Sequence, residues 1–208
     1  MKVEIEGVET LSDQWASLKK YTILYTRTDG RREKLIREVH DHGNGAAVLP
    51  YDRARGTVLL ARQFRLPAFL SGLPGPLIEV CAGLLDGDDP ETCARREAEE
   101  ELGYRLGSMR EVGSPFTSPG AISERLTLFL AEYDAGHRMG PGGGHEAESE
   151  DIEVLEMPFA DAWSLVEDGT IADAKTIILL AFLRFEIAMP GQRAWDRRTD
   201  RLEHNGSG

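Results

Sequence analysis

Arg96-Glu97-Ala98-Glu99-Glu100-Glu101-Leu102-Gly103-Tyr104 is the stretch that decides how the fold of this 208-residue chain is interpreted. Residues three and four apart are neighbours on a helix, so Glu97, Glu100 and Glu101 are expected to share one face. The stretch therefore predicts a helix, residues 90–102, that gathers three carboxylates on one patch.

Other residues indicate where this helix begins, ends and packs. Pro90 suits its first turn, Gly103 can end it in a left-handed conformation, and Arg96 can orient Glu100 one turn later. Its apolar positions repeat every four residues and are expected to lie on a sheet: Ala94, Ala98 and Leu102.

Clustered carboxylates repel each other by about 0.2–0.5 kcal/mol per exposed pair, so such a face is either solvated or neutralised by cations. Solvation is the ordinary interpretation of an acidic run. Here the run follows a short apolar strand, residues 77–80, and a tight acidic loop, residues 83–89, and this context favours bound cations. Oxygen ligands suit a hard cation, so we expect Mg²⁺, with Mn²⁺ as a working substitute.

Composition argues against several other classes of function. The formal charge of −12 and the pI near 4.9 disfavour binding to nucleic acid or to an anionic membrane. The hydrophobic fraction of 41% supports one catalytic domain with a buried core. Because we find neither a signal-peptide core nor a run of about 18 apolar residues, we expect a soluble, cytoplasmic protein.

Histidines and cysteines offer a zinc site as an alternative, but their spacing fits no compact ligand set. The residues concerned are His40, His42, His137, His145, Cys81 and Cys93. Both cysteines are expected to be ordinary small apolar residues in a reduced compartment.

Hydrophobic periodicity and turn residues predict the remaining elements. We predict an N-terminal hairpin from residues 21–26 and 34–39. Further strands are predicted at residues 46–51, 57–64, 77–80, 126–133 and 152–157 and near Val112, and helices at residues 159–168 and 173–189. The Gly-rich residues 135–151 are expected to form a long mobile loop, and the polar residues 190–208 a disordered tail.

From Ala82 to Tyr104 the sequence resembles the Nudix box, GX5EX7REUXEEXGU, in which U is a bulky apolar residue. Arg96 and the glutamates after it match the second half. In the first half, Ala82 stands where the box has its first glycine and Asp88 where it has its first glutamate, and Gly83 indicates a loop shortened by one residue. The chain therefore resembles the Nudix hydrolase superfamily.

Segments outside the box are similar to the GDP-mannose pyrophosphatase branch of the ADP-ribose pyrophosphatase-like Nudix enzymes, across about residues 12–186. They are Arg37-Glu38-Val39, Gly43-Asn44-Gly45-Ala46, Arg62-Gln63-Phe64-Arg65, residues 78–86, Ser118-Pro119-Gly120, Gly142-Gly143-Gly144, residues 150–156 and Lys175-Thr176.

The resemblance implies an architecture and an assembly. The fold would be an α+β Nudix fold, a mixed β-sheet sandwiched between helices (α/β/α), with an N-terminal antiparallel hairpin arm. Residues 1–42 would form the arm, residues 43–189 the Nudix hydrolase domain and residues 190–208 the tail. Similar enzymes form homodimers in which the arm is exchanged and contributes to the partner's site.

The resemblance also implies three groups of site residues. Metal ligands would be the carbonyl of Ala82 and the carboxylates of Glu97, Glu100, Glu101 and Glu150. Glu100, Glu150 and Arg96 would serve catalysis, with Glu148 and Asp151 as alternative general bases. Substrate contacts would come from Trp15, Arg37, Glu38, Arg65, Ala82, Glu124 and Lys175.

Ordinary structural interpretations stand beside these roles. Arg65 and Lys175 can be surface charges, and Trp15 can be a packing residue. Glu79 interrupts an apolar strand, and since an unpaired buried carboxylate is costly, we expect an arginine or a metal shell as its partner.

The function implied is Mg²⁺-dependent hydrolysis of the diphosphate bond of a nucleoside diphosphate sugar, with GDP-mannose, giving GMP and mannose 1-phosphate, as the preferred substrate. One alternative is an ADP-ribose pyrophosphatase that yields AMP and ribose 5-phosphate. A second alternative is a non-catalytic Nudix module that only binds a nucleotide. Such a module would not need Glu97, Glu100 and Glu101.

Overall fold

The structure is a computed structural model that describes residues 2–144 and 150–189. The predicted tail at residues 190–208, together with His145 and Glu148 of the predicted loop, lies outside the described residues. In the described part of the chain, no helix is long and apolar enough to span a membrane.

The N-terminal residues form a separate three-stranded antiparallel sheet, here called the arm. Its strands are β1 (Lys2–Asp13), β2 (Ser17–Thr26) and β3 (Arg32–Asp41), in that order. The predicted hairpin corresponds to β2 and β3. The prediction lacks β1 because a bulge between Ile5 and Gly7 interrupts its alternation of apolar and polar residues.

The two faces of the arm differ in polarity, since successive side chains of a strand point to opposite faces. One face carries ion pairs that link Glu4 to Lys2 and Arg32, and Glu9 to Lys20. The other face, here called the apolar face, carries side chains in register across all three strands: Val3, Ile5, Val8, Tyr21, Ile23, Tyr25, Leu35 and Val39.

A second sheet of seven strands forms the body of the protein, with the order β10-β5-β4-β9-β8 and with β6 and β7 attached to β5 and β4. The strands are β4 (Gly45–Asp52), β5 (Thr57–Gln63), β6 (Leu77–Glu79), β7 (Cys81–Leu84), β8 (Met109–Gly113), β9 (Leu126–Glu132) and β10 (Glu153–Pro158). Strands β4 and β9 run parallel and the other pairs antiparallel, so the sheet is mixed, as predicted.

The sheet splits at its centre. β4 and β5 pair only next to their turn, at Tyr51 and Asp52, and then separate. β6 pairs with β5 and β7 pairs with β4, so the short stretch that contains both fills the gap. This split brings Glu79 and Ala82 into the middle of the sheet.

The predicted helix at residues 90–102, here called the acidic helix, forms in two parts. α2 (Pro90–Glu97) begins at Asp89, whose side chain accepts from the N–H groups of Glu91 and Thr92. The remainder, Ala98–Leu102, is a π-helix rather than the predicted α-helix. Its wider turn ends at Gly103, which adopts φ 75° as the prediction required.

Helices cover both faces of the main sheet, which confirms the α/β/α sandwich. Ala94, Ala98 and Leu102 of the acidic helix are fully buried in one apolar cluster, as predicted. The opposite cluster is covered by α3 (Phe159–Glu167) and α4 (Ala174–Ala188). A short helix, α1 (Leu66–Leu70), was not predicted, because its five residues include none that is buried and so leave no periodic signal.

Residues 139–144, here called the glycine strap, run along the end of the acidic helix. The N–H groups of Met139, Gly143 and Gly144 donate to the carbonyls of Gly103 (2.7 Å), Glu101 (2.9 Å) and Glu100 (3.1 Å), respectively. As predicted, these residues form a loop without regular secondary structure, and the loop is hydrogen-bonded to the helix because it satisfies carbonyls that a helix end leaves without partners.

Candidate active site

Glu97 and Glu101 are turned toward the sheet, whereas Glu100 stays at the edge of the acidic helix. Glu101 is 1% exposed and Glu97 is also buried, but Glu100 is half-buried. The single face predicted for the three carboxylates is therefore divided, because the π-helical turn changes the angle between residues 97 and 101.

Glu101 occupies a position that disfavours its own negative charge. Burial, together with the charges of Glu97 and Glu150, raises the pKa of Glu101 to about 8. Its Oε2 is buried and has no hydrogen-bond partner among the described residues. A buried acceptor without a donor is costly, so the position is suited to a cation.

Glu97 lies against the backbone of β7. A Cβ at position 83 would overlap the Glu97 carboxylate and stand 2.8 Å from its Cγ, so a side chain there would displace Glu97. Gly83 and the neighbouring Ala82 line a cleft of 390 Å³, and Ala82 pairs with Ala47 of β4. The predicted box loop and the acidic helix therefore meet in space at Gly83.

Arg96 joins the acidic groups of the predicted box. Its Nη1 lies 2.8 Å from Glu97 Oε1 and 3.2 Å from Glu100 Oε2, which confirms that it orients Glu100. Its Nε lies 3.6 Å from Asp88 Oδ2. Asp88, at the position of the first glutamate, thus still reaches the arginine of the box.

Glu150 lies next to Gly144 of the glycine strap, which is hydrogen-bonded to the acidic helix. A Cβ at Gly144 would overlap the Glu150 carboxylate, and the charge of Glu150 contributes to the raised pKa of Glu101. Asp151 is exposed and lines a cleft of 640 Å³ together with Glu150 and Arg65. Of the three acids predicted as possible bases, Glu150 is the one found near the helix, and Glu148 lies outside the described residues.

Glu79 has cationic partners, as predicted. It is 2% exposed, and Arg65 Nε donates to its Oε1 at 2.7 Å. Lys175 Nζ donates to its other oxygen and also lies 3.0 Å from Asp173 Oδ1. Burial opposes the charge of Lys175, but Glu79 and Asp173 outweigh it and raise the pKa of Lys175. Lys175 is therefore a buried cation rather than a surface charge.

Trp15 lies at the turn between β1 and β2 and lines a cleft of 390 Å³. The same cleft is lined by Glu124, Arg65, Ala82 and Lys175. Five of the seven predicted substrate contacts therefore meet in one place.

Arg37 and Glu38 do not line this cleft. Both belong to β3, and Arg37 Nη1 donates to the carbonyl of its neighbour Ile36. Arg37 is in register with Tyr21 and lies on the apolar face, and Glu38 lies on the opposite face. Within the described residues of one chain, the two predicted contacts are thus apart from the others.

Two site residues were missed by the sequence analysis. Gln63 is buried at the end of β5, lines the larger cleft, and its Nε2 has no hydrogen-bond partner in the described part of the chain. A polar residue after the apolar strand could have indicated it. His42 lines the smaller cleft, where its ring stacks with that of Trp15. Sequence spacing does not reveal this contact.

Comparisons with known proteins agree with this geometry. The NUDIX domain profile matches residues 41–180, and a profile described as the GDP-mannose pyrophosphatase NudK N-terminal domain matches residues 2–40. The chain belongs to the Nudix family.

Nudix relatives with curated names cover most of the chain. A GDP-mannose pyrophosphatase of Pectobacterium atrosepticum is 49% identical over 179 residues, which are 86% of this chain and 92% of that protein. One of Cronobacter sakazakii is 49% identical over 185 residues, 88% of this chain and 96% of that protein. A solved crystal structure of an ADP compounds hydrolase, 18% identical, superposes with a TM-score of 0.70 over 92% of this chain and 97% of that chain, and it supports the Nudix fold.

Nudix hydrolases generally require a divalent cation, and carboxylate oxygens are the type of donor that such a cation takes. Glu97, Glu101 and Glu150 carry hard oxygen donors, and Glu101 Oε2 has no hydrogen-bond partner among the described residues. Across residues 2–144 and 150–189, no three acidic, histidine or cysteine side chains converge closely enough to form a ready-made metal site. Of the glutamates on the acidic helix, Glu97 and Glu100 form ion pairs with Arg96.

Proposed function

We propose that this Nudix hydrolase cleaves the diphosphate bond of GDP-mannose, with Mg²⁺ as its cofactor, to give GMP and mannose 1-phosphate. The support for the substrate is that relatives 45–49% identical over most of the chain are named GDP-mannose pyrophosphatases. The observation that carries the chemistry is the buried Glu101 carboxylate, whose Oε2 has no hydrogen-bond partner among the described residues and whose negative charge Glu97 and Glu150 disfavour.

Glu97, Glu101 and Glu150, with Glu100 and the carbonyl of Ala82, are the proposed ligands of the cation. When bound, Mg²⁺ offsets the negative charge of the diphosphate and lowers the pKa of the attacking water. Arg96 holds Glu97 and Glu100 in place, and the pairing of Arg65 and Lys175 with Glu79 fixes two cations at the edge of the cleft. Those cations would bind the phosphate oxygens of the substrate.

Glu150 is the proposed general base. It is held next to the acidic helix by Gly144, and a carboxylate there can accept the proton of a water molecule directed at phosphorus. Asp151, which lines the same cleft, is the alternative base. Comparing kcat of Glu150→Gln with that of Asp151→Asn would separate them, because only the loss of the base should lower kcat without raising KM.

The test of the substrate is a comparison of kcat/KM for GDP-mannose and ADP-ribose in Mg²⁺, with GMP, AMP and sugar phosphates identified by mass spectrometry. The proposal expects GDP-mannose to be preferred and Glu101→Gln to lose about 100-fold or more in kcat. Higher kcat/KM for ADP-ribose would indicate an ADP-ribose pyrophosphatase. Tight binding of both without turnover would indicate a non-catalytic module.

The proposed domain division assigns residues 1–42 to the arm and residues 43–189 to the catalytic unit. The arm is also the proposed dimer interface. Val3, Ile5 and Val8 on its apolar face are exposed, and a second copy of the chain could cover them. Arg37 lies on that face and could then reach the site of the partner. Glu38, on the opposite face, would line that site only if the partner chain covers both faces of the arm.

Two isoleucines of similar exposure allow a matched test of this dimer. Ile5, on the apolar face, is 63% exposed, and Ile36, on the opposite face, is 59% exposed. Light scattering should show monomers for Ile5→Lys and dimers for Ile36→Lys. Mixing inactive Arg37→Ala and Glu101→Gln chains should restore about a quarter of the sites if the arm is exchanged. No restoration would mean that Arg37 serves its own chain.

A further inference from the structure

Trp15 is held in place by His42, which contacts none of the acidic-helix glutamates proposed as metal ligands in the hydrogen bonds and ion pairs of the described residues. The indole of Trp15 stacks on the imidazole of His42 with ring centroids 5.3 Å apart and an interplanar angle of 20°. His40 meets His42 edge-on, with ring centroids 5.5 Å apart. Trp15 nevertheless remains 76% exposed, so the indole keeps one face open. A planar ring that is fixed on one side and open on the other can stack with another planar ring.

The nitrogen atoms of His42 connect this open ring to a carboxylate. His42 Nε2 lies 3.9 Å from Glu124 Oε1, and both side chains are largely buried. His42 Nδ1 is buried and has no hydrogen-bond partner within the described residues. An imidazole packed between an aromatic ring and a carboxylate can fix the orientation of both.

The position of this group in the cleft indicates which part of a substrate it would meet. Trp15, His42 and Glu124 line the 390 Å³ cleft, whose other walls include Gly83, Arg65 and Lys175. The cationic wall of Arg65 and Lys175 suits the diphosphate, so the ring-lined wall is left for a nucleoside or a sugar. Stacking on indole favours the flat nucleobase over a sugar.

We propose that His42 is a positioning residue for a guanine base: it holds Trp15 as a stacking wall and aligns Glu124 with the edge of the base. Guanine presents two adjacent N–H donors on its Watson–Crick edge, which a carboxylate can accept together. Adenine presents an acceptor beside its donor, and Glu124 has no hydrogen to offer it. This inference rests on the proposed function, since it assigns the end of the cleft that binds the nucleotide half of the substrate.

The test measures nucleotide binding without catalysis. GMP, AMP and ribose 5-phosphate are titrated by calorimetry into the full-length protein and into His42→Ala and His42→Phe variants. Phe keeps a ring under Trp15 but removes both nitrogens. His42→Ala should weaken GMP binding about tenfold and leave ribose 5-phosphate within about twofold. His42→Phe should keep most of the affinity for GMP but reduce its preference over AMP.

Fluorescence gives a second readout that a merely structural role would not change. The chain has three tryptophans, so a Trp163→Phe, Trp195→Phe variant leaves Trp15 as the sole indole. GMP should quench its emission in this background, and His42→Ala should abolish the quenching. The control is His137→Ala, because His137 is exposed and its Nδ1 lies 2.9 Å from Asp134.

Equal weakening of GMP and ribose 5-phosphate in His42→Ala, or no change in either, would overturn the proposal. Because hydrolysis is not read in this experiment, its outcome is separate from the assay of GDP-mannose turnover. A wild-type protein that binds GMP no better than ribose 5-phosphate would also contradict the role of His42, even if GDP-mannose is hydrolysed.

Discussion

The carboxylate of Glu97 packs directly on the backbone of Gly83, in the space that a Cβ at position 83 would take. Gly83→Ala should therefore push Glu97 out of position while leaving the fold intact, because only the end of one flexible side chain must move. We expect kcat to fall about 10- to 100-fold, the Mg²⁺ concentration for half-maximal rate to rise, and the melting temperature to change by only a few degrees. Gly113→Ala is the control, since a Cβ at Gly113 meets nothing within 4 Å. Equal activity of the two variants would contradict this role of Gly83.

Glu101 should make the metal-free protein less stable as pH rises. Burial, then the charges of Glu97 and Glu150, raise its pKa from 4.5 to about 8. A raised pKa gives stability that is fully present below pH 4.5 and is lost as pH rises toward 8. In EDTA, the melting temperature of the wild type should fall between pH 5 and pH 8 more than that of Glu101→Gln. Parallel pH curves for the two proteins would contradict the assigned shift.

Mg²⁺ should reverse this difference at pH 8. It should raise the melting temperature of the wild type, whose carboxylate is then ionised and available, and should raise that of Glu101→Gln much less. An equal rise in both proteins would mean that the stabilising cation binds elsewhere.

Glu79 should be required for stability because two cations depend on it. Glu79→Gln leaves Arg65 and Lys175 without their buried countercharge and is expected to cost about 3 kcal/mol of unfolding free energy. Glu153→Gln removes the partner of Arg62 at the surface and should cost less than about 1 kcal/mol. Urea denaturation of the two variants provides the comparison, and similar losses would show that Glu79 is not effectively buried.

Gly144 and Gly143 allow backbone strain to be separated from the placement of Glu150. Both have positive φ, 82° and 115°, so alanine at either should cost about 1–2 kcal/mol. Only a Cβ at Gly144 would overlap the Glu150 carboxylate, whereas a Cβ at Gly143 has no neighbour closer than 3.8 Å. Gly144→Ala should therefore have the lower kcat of the two at matched stability. Equal kcat values would remove Glu150 from the catalytic step.

Local spacing was sufficient to predict the acidic helix, its stop at Gly103 and the cationic partner of Glu79. These features follow from helix periodicity, a glycine in the left-handed region and the cost of a buried charge. The sandwich of helices and mixed sheet was implied by the resemblance to the Nudix family rather than by local spacing.

Features that depend on contacts between distant segments could not be predicted. The π-helical turn at Ala98–Leu102 is stabilised by the glycine strap, whose backbone bonds are invisible in composition. The first strand of the arm, β1, is exposed and bulged, so its alternation of apolar and polar residues is weak. The stacking of Trp15 on His42 joins residues 27 positions apart through the arm, and neither residue carries a motif that would indicate it.

The most direct test of the central claim is anomalous diffraction from crystals grown with Mn²⁺ and a nucleoside diphosphate sugar. The account predicts Mn²⁺ peaks about 2.1 Å from carboxylate oxygens of Glu97 and Glu101, with the diphosphate on the side of Arg65 and Lys175. Anomalous peaks located elsewhere, with Glu97 still paired to Arg96 and Glu101 still without a cation, would contradict it.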